Sequence, residues 1–286
     1  MKLVHTIVLP GNPSNEEIEQ GSLLFIGTAT VLLRYAGFTI LTDPNFLHQG
    51  EYVHLGYGFR SLRLTNPARE LEDLPPLDLV LLSHLHEDHF DRLVAKKLEK
   101  QTNIVTTPQA ATALRKQGFR KTYPLSTWET LTIARAECQL HLTALPARHG
   151  PGITARLLPP VMGTLLEFEP SPGQRTLRLY ISGDTLMCKE LSEIPKCYPQ
   201  IDLALLHLGG TKLLGLLLTM NGQQGVQAFT LINPHEAIPI HYNDYSVFKS
   251  PLEDFQRAIK EAGLEQRIRY LHHGETCTFE VPASRR

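Results

Sequence analysis

The chain has 286 residues, of which 42% are hydrophobic and 20% charged, and its formal net charge at pH 7 is −1. This length and composition are typical of one large domain over residues 1–286, with a core that needs no disulfide bonds. The near-neutral charge, with lysine and arginine scattered along the chain, argues against nucleic acid as a partner. The four cysteines form no C-x-x-C pair, which argues against a thiolate zinc site.

Hydropathy gives no sign of a membrane or export segment. No apolar run approaches the ~20 residues of a membrane span. The apolar stretch at the N-terminus is too short for a signal peptide. We therefore expect a cytoplasmic protein without stable membrane association.

The first half of the chain predicts strands, one long loop and then alternating strands and helices. β-branched and aromatic residues over 23–44 predict three short strands in a meander. Residues 45–70 predict a long loop without regular elements, and the apolar run 78–83 predicts a strand buried on both faces. The next predicted elements are a helix at 91–100, a strand at 103–107 and a helix at 108–117.

The second half returns to strands and then alternates again. A hairpin with its turn at 170–173 is predicted by the sequence Pro-Ser-Pro-Gly. The other predicted elements are strands at 140–144, 176–182, 202–207, 236–240, 268–271 and 276–280, and helices at 221–232 and 251–262. This order predicts a layered α/β domain in which helices cover the faces of the sheets.

A dense cluster of potential metal ligands follows the strand predicted at 78–83. Residues 83–91 read Ser-His-Leu-His-Glu-Asp-His-Phe-Asp, and the candidate ligands are His84, His86, Asp88 and His89. Zinc and manganese accept imidazole and carboxylate ligands, and a loop at a strand end can turn several side chains toward one point. Crowded imidazoles are favourable only when a cation shares them, so the cluster predicts a metal site rather than a polar surface loop.

Three further candidates, His149, Asp184 and His241, each follow a predicted strand. A single histidine at a strand end more often caps or packs than binds metal. Ligands at the ends of successive strands, however, converge at the rim of a sheet, where α/β proteins place their sites. Together with the cluster, they favour two metal ions over one.

The motif H-x-H-x-D-H, followed by separated His, Asp and His, resembles the metallo-β-lactamase superfamily. The resemblance covers roughly residues 20–280 and implies an αββα sandwich of two mixed β-sheets flanked by helices. The implied ligands are His84, His86 and His149 for a first metal and Asp88, His89 and His241 for a second, with Asp184 bridging the two.

Two segments are similar to the branch that contains ascorbate-6-phosphate lactonase and the N-acylphosphatidylethanolamine phospholipase D enzymes. These are Thr42-Asp43-Pro44 and Ser182-Gly183-Asp184-Thr185. The resemblance implies that Asp43 lies beside the metal ligands, whereas the alternative is an aspartate that starts a turn before proline. The chain departs from the branch at Thr28, where a histidine is usual, so that histidine's role is absent or filled elsewhere.

The remaining histidines give weaker signals. His207 ends a predicted strand near the site, and it either contacts substrate or packs. We expect no special role for His48, His54, His272 and His273. Glu87, between two ligands, is predicted to be solvated or to lie behind them.

The predicted chemistry is hydrolysis. Two divalent ions would lower the pKa of a shared water from ~15.7 toward ~7, and the resulting hydroxide would attack an ester-like bond, either a lactone or a phosphodiester. Asp43 and Asp184 would orient this hydroxide, and Asp88 could pass a proton to the leaving group. Zinc suits the ligand set, although manganese or iron could also occupy it. We find no G-x-S-x-G motif that would indicate a serine nucleophile instead.

Two alternatives to this function differ in class. A metal-dependent nuclease of the same fold is disfavoured by the absence of a basic stripe. A non-catalytic metal-binding protein is disfavoured because seven ligands for two ions leave open coordination positions. We expect a small-molecule substrate. The aromatic loop at 45–66 either covers the pocket or binds lipid, and the apolar stretch 213–218 leaves a homo-oligomer open.

Overall fold

The structure is a computed structural model that describes residues 5–170 and 175–280. Within these residues it contains two seven-stranded sheets. In spatial order, the strands of the first sheet are His5–Val8, Thr130–Arg135, Cys138–Leu145, Gly163–Glu169, Leu177–Ile181, Leu203–His207 and Glu236–Ile240. Those of the second sheet are Thr276–Glu280, Gln20–Gly27, Thr30–Tyr35, Phe38–Thr42, Leu79–Leu81, Ile104–Thr106 and Thr122–Pro124. Each sheet mixes antiparallel and parallel pairs.

Smaller elements complete the chain. The α-helices are Asn15–Glu19, Arg92–Lys97, Pro108–Lys116, Ile194–Cys197, Gly222–Ile232 and Leu252–Glu261. Short 3-10 helices lie at Leu71–Asp73, Gly152–Arg156, Lys189–Glu193 and Glu265–Arg267. One small sheet pairs Tyr52–His54 with Arg60–Leu62, and another has the order Leu216–Leu217, Gly209–Leu213, Phe248–Ser250.

The two large sheets pack face to face and enclose the central core. Phe25 and Leu33 of the second sheet and Leu140 and Leu166 of the first belong to this core, and all four are fully buried. Such burial is favourable by roughly 1.5–3 kcal/mol for each large apolar side chain. The central core therefore fixes how the two sheets lie against each other.

Helices cover the outer face of each sheet, as the αββα prediction requires. Helix Arg92–Lys97 places Val94, and helix Pro108–Lys116 places Leu114, in a cluster on the second sheet. Helices Gly222–Ile232 and Leu252–Glu261 bury phenylalanines against the first sheet. The predicted αββα sandwich of mixed sheets is confirmed.

The predicted meander and the strand–helix alternation are also confirmed, with boundaries shifted by a few residues. The prediction that residues 45–70 lack regular elements was wrong, because a short hairpin pairs Tyr52–His54 with Arg60–Leu62. Strands of three residues leave almost no period-2 pattern in a sequence, so this hairpin had no detectable signal. The predicted strand at 268–271 was also wrong, and only an isolated bridge joins Ile268 to Ala237.

Other sequence predictions concern the hairpin after Glu169 and membrane association. The strands Gly163–Glu169 and Leu177–Ile181 pair antiparallel as predicted. Residues 171–173 of the predicted turn lie outside the described residues. Over the ranges 5–170 and 175–280, no helix has the length and apolar character needed to cross a bilayer.

Candidate metal centre

The seven predicted ligands meet where strands of both sheets end. The loop after strand Leu79–Leu81 carries four of them, and the segments after Cys138–Leu145, Leu177–Ile181 and Glu236–Ile240 carry one each. The residues brought together are His84, His86, Asp88, His89, His149, Asp184 and His241. The site therefore depends on how the two sheets pack.

The first group of side chains is His84, His86 and His149. Nε2 of His84 lies 3.0 Å from Nδ1 of His86, and Nε2 of His149 lies 3.3 Å from the same atom. Burial, together with the neighbouring imidazoles, lowers the pKa of His84 well below its ordinary value and that of His86 to about 4. The rings are therefore neutral near pH 7, which is the form that binds a metal ion.

Backbone and hydroxyl groups orient these rings. Nδ1 of His149 lies 3.0 Å from the carbonyl oxygen of Leu218, and Nδ1 of His84 lies 3.0 Å from Oγ of Ser83. A ring that donates from Nδ1 to a carbonyl keeps its lone pair on Nε2. For His149 this tautomer directs the lone pair toward the cluster.

The second group combines Asp88, His89 and His241, with Asp184 beside them. Nε2 of His241 lies 3.6 Å from Oδ2 of Asp88 and 3.5 Å from Oδ1 of Asp184. Oδ2 of Asp184 lies 3.4 Å from Nε2 of His89. Burial opposes ionisation of Asp184, but His241 and His89 hold the pKa of this carboxyl well below its ordinary value. Asp184 is thus an anion with one oxygen toward each histidine.

The buried polar atoms of this group fit a bound cation. Four atoms have no hydrogen-bond partner among the residues that the structure describes: Oδ1 of Asp88, Nε2 of His89, Oδ1 of Asp184 and Nε2 of His241. An unsatisfied buried polar atom costs ~1–3 kcal/mol, and more if it is charged, so four in one place call for a ligand. Carboxylate oxygens and imidazole nitrogens are common ligands of divalent metals.

Asp43 lies behind this group and contacts it through His89. Its Oδ1 accepts a 2.7 Å hydrogen bond from the backbone N–H of Ser83, and its Oδ2 lies 3.4 Å from Nδ1 of His89. A carboxylate beside Nδ1 holds the proton there and leaves Nε2 of His89 free for a metal. Asp43 has a positive φ of 35°, a strained conformation for a residue other than glycine. The structure thus places Asp43 beside His89, and a role in a metal site stays what the resemblance implies.

His207 contacts the same oxygen of the Asp43 carboxylate as His89 does. Its Nε2 lies 3.4 Å from Oδ2 of Asp43, and its Nδ1 lies 3.3 Å from Oγ of Ser182. The neutral ring that carries its proton on Nε2 can donate to Asp43, and the Ser182 hydroxyl then has two acceptors within reach, Nδ1 of His207 and, at 3.0 Å, the carbonyl oxygen of Gly183. The side chain is fully buried and does not line the cavity described below. The predicted contact with substrate therefore has no counterpart in this cavity.

Sequence reasoning missed Asp244, a buried carboxylate three residues after His241. Its Oδ2 accepts a 2.7 Å hydrogen bond from the backbone N–H of Thr28 and lies 3.4 Å from Nε2 of His273. The carbonyl oxygen of Thr28 in turn accepts a 2.6 Å hydrogen bond from the backbone N–H of His241. Thr28 thus takes part through two backbone hydrogen bonds, at a position where the branch that this chain resembles usually has a histidine. His273 contacts Asp244, which no sequence pattern predicted.

Two more carboxylates anchor the loops around the ligands. Asp91 caps helix Arg92–Lys97 by accepting from Val94 N at 2.8 Å, and it also accepts from the backbone N–H of Leu47 at 3.0 Å. Glu87 accepts a 2.6 Å hydrogen bond from the backbone N–H of His54 in the hairpin. Glu87 also pairs with Arg92 at 3.1 Å, so its side chain contacts the hairpin and the helix Arg92–Lys97, and its predicted position behind the ligands stays a prediction. The N-cap position was the one sequence signal that could have identified Asp91.

A small cavity opens onto the two groups of ligands. The ligands in its wall are His86, Asp88, His149 and Asp184, and the other lining residues are Leu55, Leu158, Thr211, Leu213 and Leu218. The leucines come from the 52–62 hairpin, the loop that includes Gly152–Arg156, and the segment 209–218. The cavity has a volume of about 20 Å³, so it has room for a water molecule between candidate ligands of both groups and an apolar wall.

Comparison with known proteins supports the same family assignment. Residues 39–242, more than half of the chain, match the β-lactamase superfamily domain. A UPF0173 metal-dependent hydrolase of Thermus thermophilus is 29% identical over 244 residues, which cover 84% of this chain and 92% of the relative. A UPF0173 metal-dependent hydrolase of Nanoarchaeum equitans is 27% identical over 195 residues, which cover 68% of this chain and 83% of the relative.

Structural comparison gives the fold alone. The isothiocyanate hydrolase from Delia radicum gut bacteria superimposes with a TM-score of 0.75 at 21% identity, covering 91% of this chain and all of that chain. The shared architecture is the αββα sandwich of the metallo-β-lactamase fold. The family match, the fold and the cluster of histidines and aspartates agree, and the chain belongs to the β-lactamase superfamily.

Proposed function

We propose that the protein is a dinuclear metal-dependent hydrolase that cleaves an ester-like bond in a small molecule. The observation that carries the proposal is the set of four buried ligand atoms without hydrogen-bond partners among the described residues, placed beside a group of three neutral histidines. The two groups and Asp184 offer seven candidate ligands, more than the four that one zinc ion usually takes. Two ions account for both groups.

The ligand roles follow from the contacts. His84, His86 and His149 would hold one ion, and Asp88, His89 and His241 the other. Asp184 would bridge them, because its ligand atom also lies within 4.8 Å of those of His84 and His89. Zinc is the proposed metal on the basis of the His and Asp ligands. When bound, the ions would supply Lewis acidity, which activates a water molecule and polarises the bond to be cleaved.

The protein's own groups supply proton transfer and positioning. Asp88 lines the cavity, and although burial opposes its ionisation, His89 and His241 lower the pKa of its carboxyl to about 2, so it is an anion near pH 7. It would take up the proton that the attacking water loses and pass this proton to the leaving oxygen. In the hydrolysis, the oxygen of water bonds to the acyl carbon, the carbon–oxygen ester bond breaks, and the leaving oxygen takes up the proton. Asp43 acts indirectly in this proposal, through the orientation of His89.

The resemblance to the lactonase and phospholipase D branch is part of the proposal. The placement of Asp43 beside His89 supports it, because a carboxylate role at this position is what the branch implies. Thr28 remains the departure from that branch. A purely structural metal site is disfavoured, because four candidate ligands line a cavity rather than being enclosed on all sides.

The test is metal content together with hydrolysis. We expect about two metal ions per chain by mass spectrometry of the purified protein, in line with the open, multi-ligand sites of metallohydrolases. His86→Ala should lose the first ion and His241→Ala the second, and both should lose lactone hydrolysis. The matched control is His48→Ala, which removes a half-exposed histidine that pairs with Glu70 at 2.9 Å, and it should keep both ions and activity. A wild-type protein that binds no metal on reconstitution would overturn the proposal.

A further inference from the structure

Two residues beside the candidate metal centre share an unusual backbone conformation and contact each other. Thr28 has a φ of 53° and His241 a φ of 61°, both in the left-handed region. Residues other than glycine rarely adopt this region, and a β-branched threonine is an outlier there. The backbone N–H of His241 donates a 2.6 Å hydrogen bond to the carbonyl oxygen of Thr28. The backbone from which the His241 side chain extends is therefore held by Thr28.

Asp244 in turn holds the backbone N–H of Thr28. Oδ2 of Asp244 accepts a 2.7 Å hydrogen bond from this N–H, and the same oxygen lies 3.4 Å from Nε2 of His273. The hydroxyl of Thr65 donates to the other oxygen, Oδ1. The Asp244 side chain is fully buried, so its orientation is fixed by partners on both oxygens. Asp244 therefore presents a fixed acceptor to Thr28.

The imidazole of His241 depends on the same backbone. Its Nδ1 lies 3.2 Å from the carbonyl oxygen of Leu208, so a proton on Nδ1 can be donated to this carbonyl. Nε2 then carries the lone pair, and it lies 3.6 Å from Oδ2 of Asp88 and 3.5 Å from Oδ1 of Asp184. A shift of the His241 backbone would move Nε2 away from these carboxylates.

We propose that Asp244 is a positioning residue for the candidate ligand His241 and that it acts through the backbone of Thr28. This inference rests on the proposed function, because it assigns His241 to the second ion. In this role Asp244 contacts neither an ion nor substrate. Two hydrogen bonds in series, from Thr28 N–H to Asp244 and from His241 N–H to Thr28, fix the position of the imidazole. Loss of a group that orients a ligand weakens metal binding by roughly 10–100-fold.

The main test compares two substitutions of Asp244 that differ in whether an acceptor remains. Asp244→Ala removes both oxygens, whereas Asp244→Asn keeps one oxygen that can accept from the Thr28 N–H. Asp244→Ala should weaken the ion held by Asp88, His89 and His241 by about tenfold and leave the ion of the three-histidine group unchanged. Asp244→Asn should bind both ions within about twofold of wild type. Chelator competition, followed by the visible spectrum of the cobalt-substituted protein, gives the affinity of each site.

The same two variants separate positioning from stability. Both substitutions remove a buried negative charge that has hydrogen-bond partners, so both proteins should unfold at a lower urea concentration than wild type. If Asp244 served stability alone, both variants would lose metal affinity together. An equal loss in Asp244→Ala and Asp244→Asn would therefore overturn the inference.

Hydrogen exchange in the metal-free protein gives a readout that needs no ion. The His241 amide is protected by its bond to Thr28, and its exchange rate measures how often this bond opens. Relative to the amides of strand Leu203–His207, the His241 amide should exchange about tenfold faster in Asp244→Ala than in wild type. In Asp244→Asn it should exchange at about the wild-type rate. An unchanged rate in Asp244→Ala would overturn the inference.

Two further variants serve as a control and as a safeguard. His273→Ala removes a neighbour of Asp244 but leaves the acceptor for the Thr28 N–H in place, so both ions should stay within about twofold of wild type. A tenfold loss in this variant would overturn the inference. Asp244→Ser guards against failure of Asp244→Ala to fold. Its hydroxyl ends one atom short of the position of Oδ2, so it should weaken the second ion as Asp244→Ala does.

The outcomes distinguish this inference from the proposed function. A wild-type protein that binds no second ion would overturn the proposed function and this inference with it. A wild-type protein that binds two ions, with both affinities unchanged in Asp244→Ala and Asp244→Ser, would overturn this inference alone.

Discussion

Nε2 of His207 lies 3.4 Å from Oδ2 of Asp43, and both side chains are fully buried. The same carboxylate oxygen lies 3.4 Å from Nδ1 of His89. Asp43 therefore connects His207 to a candidate metal ligand. In this arrangement His207 contacts His89 through the carboxylate and also through its ring, which stacks on that of His89 with the centroids 6.0 Å apart. We therefore predict that His207 positions this candidate ligand rather than touching substrate.

This relationship predicts a site-selective loss of metal in His207→Leu. Removing the donor to Asp43 should weaken the ion held by Asp88, His89 and His241 by roughly 10–100-fold, the usual effect of losing a hydrogen-bonding partner behind a ligand. The ion at the three-histidine group should be unaffected. Competition with a chelator, followed by the visible spectrum of the cobalt-substituted protein, distinguishes the two sites.

The matched control for this prediction is His207→Gln, which keeps a side-chain N–H that can donate to Asp43. It should retain most of the affinity that His207→Leu loses. Equal weakening of both metal sites in His207→Leu would contradict a positioning role and indicate a general packing defect.

Removal of metal should destabilise the whole domain. A ligand that binds only the folded state adds about 2.7 kcal/mol to the free energy of unfolding at 100 times its Kd. For a domain of this size we expect a chelator to lower Tm by roughly 5–10 °C. The measurement is thermal unfolding with and without chelator, and an unchanged Tm in a protein shown to lose its metal would count against the fit of the buried ligand atoms.

Asp244 should contribute to stability in a pH-dependent way. Burial opposes the ionisation of Asp244. The hydrogen bond with His273 and the charge of that imidazole nevertheless hold the pKa of the Asp244 carboxyl below its ordinary value of 3.8. Because the folded-state pKa is the lower one, the stabilisation is present above about pH 4 and disappears as the pH falls through the folded-state pKa. Asp244→Asn should therefore be less stable than wild type by about 1–3 kcal/mol at pH 7.

Urea unfolding at pH 7 and at pH 3 checks this sign. Both proteins are stripped of metal first, so that loss of ions in acid does not enter the comparison. The deficit of Asp244→Asn should shrink at pH 3. A deficit that grows toward acid pH would show that the carboxylate is not the stabilising form.

Tyr57 should tie two surface loops together without stabilising the core. Its hydroxyl donates to the carbonyl oxygen of Leu157, and 72% of the tyrosine is exposed. A neutral hydrogen bond contributes ~0.5–1.5 kcal/mol, so in Tyr57→Phe the backbone amides of residues 150–158 should exchange hydrogen about fivefold faster. Tm should stay within about 1 °C of wild type, since the substitution leaves the buried core unchanged. The control is Tyr52→Phe, in the same hairpin, and faster exchange in both variants would contradict the prediction.

Local patterns in the sequence determined the architecture and the ligand types. The meander over 23–44 was readable because β-branched residues and glycine turns act over a few neighbouring residues. The cluster from His84 to His89 was readable because its chemistry lies within six consecutive residues. By contrast, the short hairpin at Tyr52–His54 and the bridge at Ile268 depend on pairing partners, and there the predictions were wrong.

Only the tertiary structure decided how residues far apart in the chain meet. His207 reaches Asp43 across 164 residues, and Asp244 reaches Thr28 across 216. These contacts arise because the core between the two sheets fixes the relative positions of the strand ends. No short segment of the sequence encodes these positions. The sequence determined that candidate metal ligands lie at the strand ends, and the packing of the two sheets decided which groups orient those side chains and which leucines face them.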